Sequence, residues 1–486
     1  MNPKEIKEKI KDSIVNELKL IKNIKSITIV GSFIDKVDMS GISDIDTIIV
    51  CDKLNKIIFE KCIRSLENLD INKCGLKNYT LKINSTFGPL KFDKPNLIII
   101  HLMIYDYELH RNHVCKSPFT CYDWERSQTI YGFSLKNIYP VGSLQYRDFL
   151  KVRRSLNNYL EDLNNNSISY REYKFLNGQV KEVRKKFSID PRHRGEFSYH
   201  IIHNLISNYL KLCLQKNMLS SKNEIISEIK RLFLISGDLH SKKYSDIFKV
   251  KLKMNIPFPT NTTQWTKNFI EQYQKSIKAE WSDAIKVRFY RHFKTKLNDK
   301  TYFGQGRDSG IDYDSLPTKS NNNVDLVYSS PSLRCVETAK ILFENSNIIR
   351  DNRLLEINYG KCEGKSYEEI NVNFPDIIKK WEEKKDPSFP DGENTSDVLN
   401  RLDSFLNDLN KLITNNKYKS LSVISHNVLL RCLIGHYLNL DRDVWFKLII
   451  PHGEKLEFLY FKKKFYPNIS REILGNILSN IGLISK

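Results

Sequence analysis

A chain of 486 residues is too long for one ordinary domain, so we expect two or three domains. Its formal net charge of +20 favours anionic partners such as nucleotides, phosphorylated metabolites or nucleic acid, although solvated surface lysines would give the same balance. The nine cysteines include no CxxC pair, which argues against a disulfide framework or a zinc site.

The amino-terminal residues predict a charged helix without the apolar centre of a signal peptide. The longest apolar run, residues 97–105, is too short to span a bilayer. We therefore expect a soluble cytoplasmic protein with no membrane partner. The sequence does not indicate its oligomeric state.

Residues 1–145 alternate apolar strands with amphipathic helices, which predicts a small α/β unit. Residues 4–21 form an apolar helical face, and residues 26–30 predict a strand that runs into Gly31-Ser32. The next strand carries Asp44 and Asp46, and residues 96–105 predict a buried strand. The helix after the aspartates is predicted to bury Leu54, Ile57, Ile58 and Cys62.

Residues 146–281 show helical periodicity throughout, including the segment REYKFLNGQVKEVRKKF at residues 171–187. From residue 282 to 486 strands and helices alternate again, which favours a mostly parallel sheet covered by helices on both faces. The predicted fold class is therefore α/β multidomain: a small α/β core, a helical domain and a doubly wound α/β domain.

Asp44 and Asp46 are two positions apart on a predicted strand, so both side chains should point to one face. Adjacent carboxylates repel each other, and a divalent metal ion is the usual group that neutralises them. The alternative is an ordinary turn followed by aspartates that cap a surface strand.

A Gly-Ser turn, a spacer and Asp-x-Asp on a strand resemble the nucleotidyltransferase signature of the DNA polymerase β superfamily, here at Gly31, Ser32, Asp44 and Asp46. The resemblance implies that Gly31 and Ser32 hold the triphosphate of an NTP, and that Asp44 and Asp46 bind Mg²⁺. Family members carry a third carboxylate on a neighbouring strand. Asp106 is our first choice for it, and His101 is the alternative.

Two further groups could belong to the same cleft. The helical middle often forms the opposite wall in such enzymes, and Tyr199, His200, His203 and Asn204 have the spacing of one helical face. Residues 191–195 (PRHRG) predict a basic loop that could touch phosphates. Ordinary helix residues and a solvated loop are the alternatives.

Several separate blocks in the last 200 residues share one known order and spacing. They are RHFKT from Arg291, QGRD from Gln305, SSPSLRCVETA around Arg334, LLEINYGKCEG around Glu356, PDGEN around Glu393 and SHN around His426. Over residues 283–462 this pattern resembles the histidine phosphatase superfamily, which has the phosphoglycerate-mutase-like fold.

The resemblance implies a role for each of five residues. His292 would attack phosphorus and become phosphohistidine. Arg291, Arg334 and His426 would form a cationic cage for the phosphoryl oxygens, and Glu356 would protonate the leaving oxygen. No metal or other cofactor is required by this chemistry.

Two details of this region bear on its activity. The family has Gly after the histidine, whereas this chain has Phe293, which predicts an active site with altered specificity rather than a dead one. His436 and His452 match no catalytic block, and we predict structural roles for them.

Together these patterns predict a bifunctional enzyme. One part would transfer a nucleotidyl group from an NTP to the hydroxyl or phosphate of a small metabolite with Mg²⁺, and the other would hydrolyse a phosphomonoester through phosphohistidine. One alternative is a nucleotidyltransferase that modifies tRNA or protein and carries a degenerate, ligand-sensing phosphatase domain. Another is a regulatory protein in which both pockets only sense nucleotides or phosphates.

Overall fold

The computed structural model describes twelve stretches of the chain: residues 2–35, 44–84, 86–87, 97–151, 156–176, 179–215, 221–251, 258–297, 301–316, 323–344, 346–415 and 418–481. Within these stretches the strands form three sheets. No helix in the same stretches combines the length and apolar composition that a membrane crossing needs.

The front unit contains the first sheet, with strand order β3-β5-β2-β1-β6. β2 pairs in parallel with β5 and antiparallel with β1. Its elements are α1 (Pro3–Leu18), β1 (Ile24–Val30), α2 (Ser32–Asp35), β2 (Asp44–Cys51), α3 (Lys56–Glu67), β3 (Thr80–Asn84), β4 (Thr86–Phe87), β5 (Leu97–Asp106), α4 (Tyr107–Lys116), α5 (Pro118–Glu125), β6 (Thr129–Gly132) and α6 (Leu135–Ile138).

Helix α1 packs its apolar face on this sheet, as its periodicity predicts. Asn2 caps its first turn in a capping box with Glu5, and Ile10, Ile14 and Leu18 are buried in the same apolar cluster as β1, β2 and β5. Of the four residues predicted for the inner face of the helix after the aspartates, three are buried: Leu54 just before α3, and Ile58 and Cys62 within it. The prediction for the fourth residue, Ile57, is wrong, because its side chain is 75% exposed. Consecutive residues of a helix point in different directions, so Ile57 lies on the other side of the first turn from Ile58.

The middle unit is mostly helical but contains a β-hairpin. Its elements are α7 (Tyr146–Lys151), α8 (Leu156–Asn164), β7 (Ser167–Leu176), β8 (Gln179–Ser188), α9 (Pro191–Leu214), α10 (Lys222–Leu232), α11 (Gly237–Lys251) and α12 (Asn261–Trp281). The hairpin corrects the prediction of a helix over residues 171–187. β7 also pairs with β4 of the front unit.

The C-terminal unit is built on a six-stranded sheet of order β11-β10-β12-β9-β13-β14. The first four of these strands run parallel, and β13 and β14 form an antiparallel edge. Its elements are β9 (Ile285–Arg291), β10 (Leu326–Ser329), α13 (Leu333–Leu342), β11 (Ile348–Arg350), α14 (Tyr367–Asn373), α15 (Pro375–Glu382), α16 (Thr395–Asn415), β12 (Ser420–Ser425), α17 (Asn427–Tyr437), β13 (Lys455–Phe461), β14 (Lys464–Pro467) and α18 (Arg471–Ile477).

The middle and C-terminal units share an apolar contact centred on Trp281. Its indole stacks on Tyr146 at a centroid distance of 4.4 Å and on Phe461 at 4.2 Å. Nearby, Arg471 forms a buried ion pair with Asp148 at 2.6 Å. The predicted domain boundaries at 145/146 and 281/282 remain predictions, since both fall beside residues of this contact.

Candidate active site

Two histidines meet at the carboxyl edge of the C-terminal sheet. β9 ends at Arg291 and is followed by His292, and β12 ends at Ser425 and is followed by His426. These strands are parallel neighbours, and the His292 amide donates to the Ser425 carbonyl at 3.0 Å. The His292 and His426 ring centroids are therefore only 5.3 Å apart.

The His292 ring is buried and held in one tautomer. Its Nδ1 lies 2.7 Å from the Phe293 carbonyl oxygen, and because a carbonyl only accepts hydrogen bonds, Nδ1 carries the proton. Burial lowers the pKa of His292 well below its ordinary value, and the charges of Arg334 and Arg291 lower it further. The imidazole is therefore neutral, with a lone pair on Nε2.

Arg334 supplies a fixed positive charge beside the histidines. Its side chain is 1% exposed and forms an ion pair with Asp308 at 3.2 Å. Nη2 donates to the Gly304 carbonyl at 2.9 Å, and the guanidinium lies 4.3 Å from the centroid of the Phe303 ring. These contacts fix its orientation before any ligand arrives.

Arg291 is the second cation, and part of its guanidinium is left unused. Nη2 lies 3.1 Å from His452 Nε2, and Nη1 donates to the Ile450 carbonyl. Its Nε is buried and has no hydrogen-bond partner among the described residues. Burial lowers the pKa of Arg291 to about 10, so the side chain remains charged at neutral pH and can receive an anion.

His426 is neutral, which corrects part of the predicted cage. Arg334 Nε donates to His426 Nδ1 at 3.1 Å, so the proton of His426 is on Nε2, 2.8 Å from Ser330 Oγ. Burial lowers the pKa of His426 well below its ordinary value, and Arg334 adds to the shift. The positive charge of the cage therefore comes from the two arginines, and His426 holds one of them in place.

Glu356 is buried at the start of α17. Its Oε1 accepts hydrogen bonds from the amides of Ile357 at 3.0 Å and Val428 at 3.1 Å. Gln305 Nε2 donates to the Glu356 backbone carbonyl at 2.7 Å and holds the same segment. The carboxylate is close enough to Arg291 to oppose the lowering of that arginine's pKa.

The structure also places His452 at the site, where the sequence predicts only a structural role. Its ring centroid is 5.1 Å from that of His292, and its Nδ1 lies 3.3 Å from the His292 carbonyl oxygen. His452 precedes β13, which pairs antiparallel with β9, so its backbone returns beside Arg291. The signal in the sequence that could have indicated this position of His452 is the Pro-His-Gly turn directly before the last strand. His436, the other histidine with a predicted structural role, contacts the Tyr437 ring.

Phe293, at the position of the family glycine, is buried. Its amide donates to Thr338 Oγ1 at 2.9 Å. Its ring packs so closely on Gly453 that a Cβ at residue 453 would lie 3.0 Å from it. A glycine at position 453 therefore accommodates the extra side chain.

A further arginine lies beside Glu356. Arg431 Nε is buried and has no hydrogen-bond partner among the described residues. Burial lowers the pKa of Arg431, while Tyr359 and Glu356 oppose the shift. The Tyr359 ring in turn makes an edge contact with Tyr302 at 4.9 Å. The sequence does not indicate Arg431, because no block of the pattern includes it.

Comparison with known proteins agrees with this geometry. Residues 289–466 match the model of the histidine phosphatase superfamily, branch 1. These residues form a histidine phosphatase domain.

The similar curated proteins named here each match less than a third of this chain. Phosphoserine phosphatase 1 of Hydrogenobacter thermophilus is 32% identical over 125 residues, which is 25% of this chain and 58% of that protein. The 6-phosphofructo-2-kinase 1 of Saccharomyces cerevisiae is 30% identical over 27% of this chain and 17% of that protein. The human 6-phosphofructo-2-kinase/fructose-2,6-bisphosphatase 4 is 26% identical over 31% of this chain and 32% of that protein.

A solved structure aligns with a somewhat larger share of the chain. The α-ribazole phosphatase of Shigella flexneri is 17% identical over 38% of this chain and 96% of its own, with a TM-score of 0.33.

In the front unit, Gly31, Asp46 and His101 lie together. Asp46 and His101 are opposite each other in the parallel β2–β5 ladder, with Asp46 Oδ1 3.3 Å from His101 Nδ1. Gly31 follows β1 with a φ of +76°, and a Cβ there would lie 2.9 Å from Asp46 Oδ2. The turn therefore requires glycine, and its backbone passes directly over the carboxylate.

Asp106 is not part of this cluster, so our first choice for the third acid is wrong. It ends β5 opposite Cys51, and roughly 16 Å of strand separates it from His101. Its carboxylate accepts from the Leu109 amide at 2.9 Å and caps α4, as an aspartate before a helix commonly does. His101, the alternative, occupies the position beside Asp46.

The predicted metal ligands are only partly described. The side chains of Asp44 and Ser32 lie outside the described residues, so their predicted roles remain predictions. Within the part of the chain that the structure describes, no group of three His, Cys, Asp or Glu side chains could hold a metal ion. One carboxylate and one imidazole are fewer ligands than Mg²⁺ takes, so a site here depends on Asp44.

The residues predicted for the opposite wall contact each other. His203 Nδ1 is 3.1 Å from the Tyr244 hydroxyl, and His200 Nε2 is 3.0 Å from Asn204 Nδ2. Their role in a nucleotide cleft remains a prediction. Residues 191–195 are the first turn of α9 rather than a loop, with Pro191 at its start.

Proposed function

We propose that the C-terminal domain hydrolyses a phosphomonoester through a phosphohistidine at His292. The observation that carries this proposal is the neutral His292, with its Nδ1 tied to a carbonyl, between the fixed guanidiniums of Arg291 and Arg334. The buried Nε of Arg291 is a donor that a phosphoryl oxygen would satisfy.

The reaction proceeds in two steps. In the first, His292 Nε2 forms a bond to phosphorus as the ester P–O bond breaks, and the leaving oxygen takes the proton of Glu356. In the second, water attacks phosphorus, its proton goes to the Glu356 carboxylate, and the P–N bond breaks to release phosphate. Arg291 and Arg334 stabilise the charge on the phosphoryl oxygens in both steps.

The substrate is expected to carry a second anionic group. Arg431 has a buried Nε without a described partner and lies beside Glu356, the group that faces the leaving oxygen in this scheme. The names of two similar proteins refer to phosphoserine and to a fructose bisphosphate, and both compounds carry an additional acidic group. A phosphorylated metabolite with a carboxylate or a second phosphate fits this site.

The test is phosphate release from p-nitrophenyl phosphate and from a panel of phosphorylated acids and sugars. His292→Ala should lower kcat by at least about a thousandfold, and brief incubation of the wild type with ³²P-labelled substrate should give an acid-labile label on the protein. His436→Asn, at an exposed histidine, is the matched control. If the wild type released no phosphate from any substrate, the degenerate, ligand-sensing alternative would replace this proposal.

We further propose that the front unit transfers a nucleotidyl group from an NTP to a hydroxyl or phosphate of a small metabolite. The specific support is the glycine turn over Asp46, with no room for a side chain at Gly31. Mg²⁺ held by Asp44 and Asp46 would offset charge on the triphosphate. His101 would then replace the third acid. Acting as a base, it would remove the proton from the hydroxyl group of the acceptor metabolite.

Pyrophosphate release from each NTP, with Mg²⁺ and pooled metabolites as acceptors, tests this second proposal. Asp46→Ala should abolish it, whereas Asp106→Asn, at the far end of the strand with its capping oxygen retained, should not. Equal loss in both variants would contradict the assignment. A rate that falls steeply with salt and requires tRNA would instead favour the alternative of a nucleic-acid acceptor.

A further inference from the structure

A cleft of about 680 Å³ lies where the front unit, the middle unit and the phosphatase domain meet. Tyr122 of α5 and Arg126, directly after this helix, line it on one side, and Gln215 after α9 lines it on another. The remaining wall comes from α16, the end of α17 and β14. Pockets for small ligands enclose roughly 300–1,000 Å³, so this cleft has the size of a binding site.

The charged lining of the cleft is mainly positive. It contains Arg126, Lys463 and Lys464, with Asp403 as an acidic side chain. The guanidinium of Arg126 lies over the Tyr122 ring, 3.4 Å from its centroid, and forms an ion pair with the buried Glu125 at 3.2 Å. Among the described residues, neither lysine ammonium has an ion-pair partner. Both are therefore available to an anion.

Lys463 comes from a turn whose backbone does not favour lysine, and Lys464 is the first residue of β14. Phe461 pairs with Lys464, so β13 and β14 are joined by a two-residue turn, Lys462 and Lys463, with φ of +47° and +62°. Such turns favour Asn-Gly, because most other residues are strained in the left-handed region. Lys462 forms an ion pair with Glu280, which explains its charge. Lys463 lines the cleft, and among the described residues it has no acidic partner that would explain a positive charge at this position.

The rest of the lining suits a planar ring and its polar edges. The Tyr437 and Phe465 rings are half-buried, and Asn407 and Asn439 are exposed beside them. Aromatic faces stack on a nucleobase, and side-chain amides hydrogen-bond its edge.

We infer that this cleft is a nucleotide-binding site, separate from the phosphatase site and from the Asp46 cluster. The phosphates lie against Lys463, Lys464 and Arg126, and the base packs on Tyr437 and Phe465. The site depends on neither of the activities proposed above, because neither places a ligand between the three units.

Isothermal titration of the full chain with ADP tests the inference. The His292→Ala background prevents turnover, and EDTA removes the metal that the Asp46 cluster would need. Lys463→Asn/Lys464→Gln should raise the Kd for ADP at least about tenfold, as expected for the loss of charged contacts. Asn tolerates the left-handed backbone, so this variant should fold, and its melting temperature verifies that it does.

Two controls locate the binding. Lys340→Gln removes an exposed lysine on α13, and Arg431→Met removes the spare arginine of the phosphatase site; neither should change the Kd for ADP. The inference is overturned if ADP does not bind, if the double variant binds normally, or if Arg431→Met alone weakens binding. Pyrophosphate that binds as tightly as ADP would also overturn it, since the site would then hold an anion and not a nucleotide.

Discussion

Three imidazoles meet at the phosphatase site, and a neighbouring group decides which nitrogen of each carries its proton. A carbonyl fixes the proton of His292 on Nδ1, and an arginine fixes that of His426 on Nε2. His452 donates from Nδ1 to a carbonyl and accepts from an arginine at Nε2. Of the three, only His292 keeps a nitrogen lone pair that no donor among the described residues occupies. All three side chains are imidazoles, so hydrogen bonds alone distinguish the proposed nucleophile, His292, from the other two.

Arg431 provides a prediction at the same scale. Arg431→Met should raise KM about tenfold to a hundredfold for a phosphorylated acid or bisphosphate, because a hydrogen bond to a charged group contributes about 1.5–3 kcal/mol. It should leave KM for p-nitrophenyl phosphate unchanged, since that ester has no second anion. Arg431→Lys, which keeps the charge, should fall between. Equal losses for both kinds of substrate would mean that Arg431 acts on the fold or on the phosphoryl group.

The residue types of the site were predictable from sequence, but their partners were not. The blocks predicted Arg291, His292, Arg334, Glu356 and His426, and the structure brings these five together. His452 was missed because its place depends on the antiparallel pairing of β13 with β9. The choice of Asp106 as the third acid failed because the sequence alone does not give the register of β2 and β5. In that register Asp106 lies at the other end of the strand from His101, which is opposite Asp46.

Among the elements, the hairpin β7–β8 shows where periodicity fails. The segment 171–187 mixes charged and apolar residues in a way that fits both a period of 3.6 and a period of 2. Its Asn-Gly pair at 177 and 178, a strong hairpin signal in sequence, separates the two strands. The helices with one clear apolar stripe, such as α1, were predicted correctly because their pattern fits one period only.

The end of helix α12 yields a prediction about elements. Glu280 receives hydrogen bonds from Arg231 of α10, Tyr209 of α9 and Lys462 of the β13–β14 turn. Although burial opposes it, these partners together lower the pKa of Glu280 to about 2. Because the pKa is lower in the folded protein, this stabilisation is complete above pH 4.5 and is lost as the pH falls from 4.5 toward 2.

Glu280→Gln should therefore lower the free energy of unfolding by about 1–3 kcal/mol at pH 7, measured by urea denaturation. The difference from the wild type should shrink at pH 3.5. Glu271→Gln, on an exposed part of the same helix, is the control and should have little effect. An equal difference at both pH values would show that Glu280 acts through packing and not through its charge.

At the scale of the whole molecule, the association of the units could not be predicted from the sequence. One apolar cluster continues from β2 and β5 of the front unit through α9 and α12 to the phosphatase sheet. In the sequence Trp281 marks only the end of a helix. In the structure its ring stacks on Tyr146 of the middle unit and on Phe461 of the C-terminal unit. Contacts of this kind join residues far apart in the chain, so no local pattern indicates them.

Histidines buried in different units make the stability of the whole chain depend on pH. Burial lowers the pKa of His110 in the front unit and of His452 in the phosphatase domain to about 4. It lowers those of His240, His292 and His426 as well. In the unfolded chain each would titrate near its ordinary value of 6.5. Below pH 6.5 the unfolded chain therefore binds more protons than the folded chain.

Stability should accordingly be complete above pH 6.5 and should fall as the pH drops from 6.5 toward 4, with a slope of about 1.4 kcal/mol per pH unit for each histidine that stays neutral. Urea denaturation between pH 7.5 and 5 measures this slope. His110→Phe, which keeps a ring in the same buried position, should reduce it by the share of one histidine, whereas His436→Asn at an exposed site should not. A slope unchanged by His110→Phe would mean that His110 binds its proton equally well in the folded and unfolded chain.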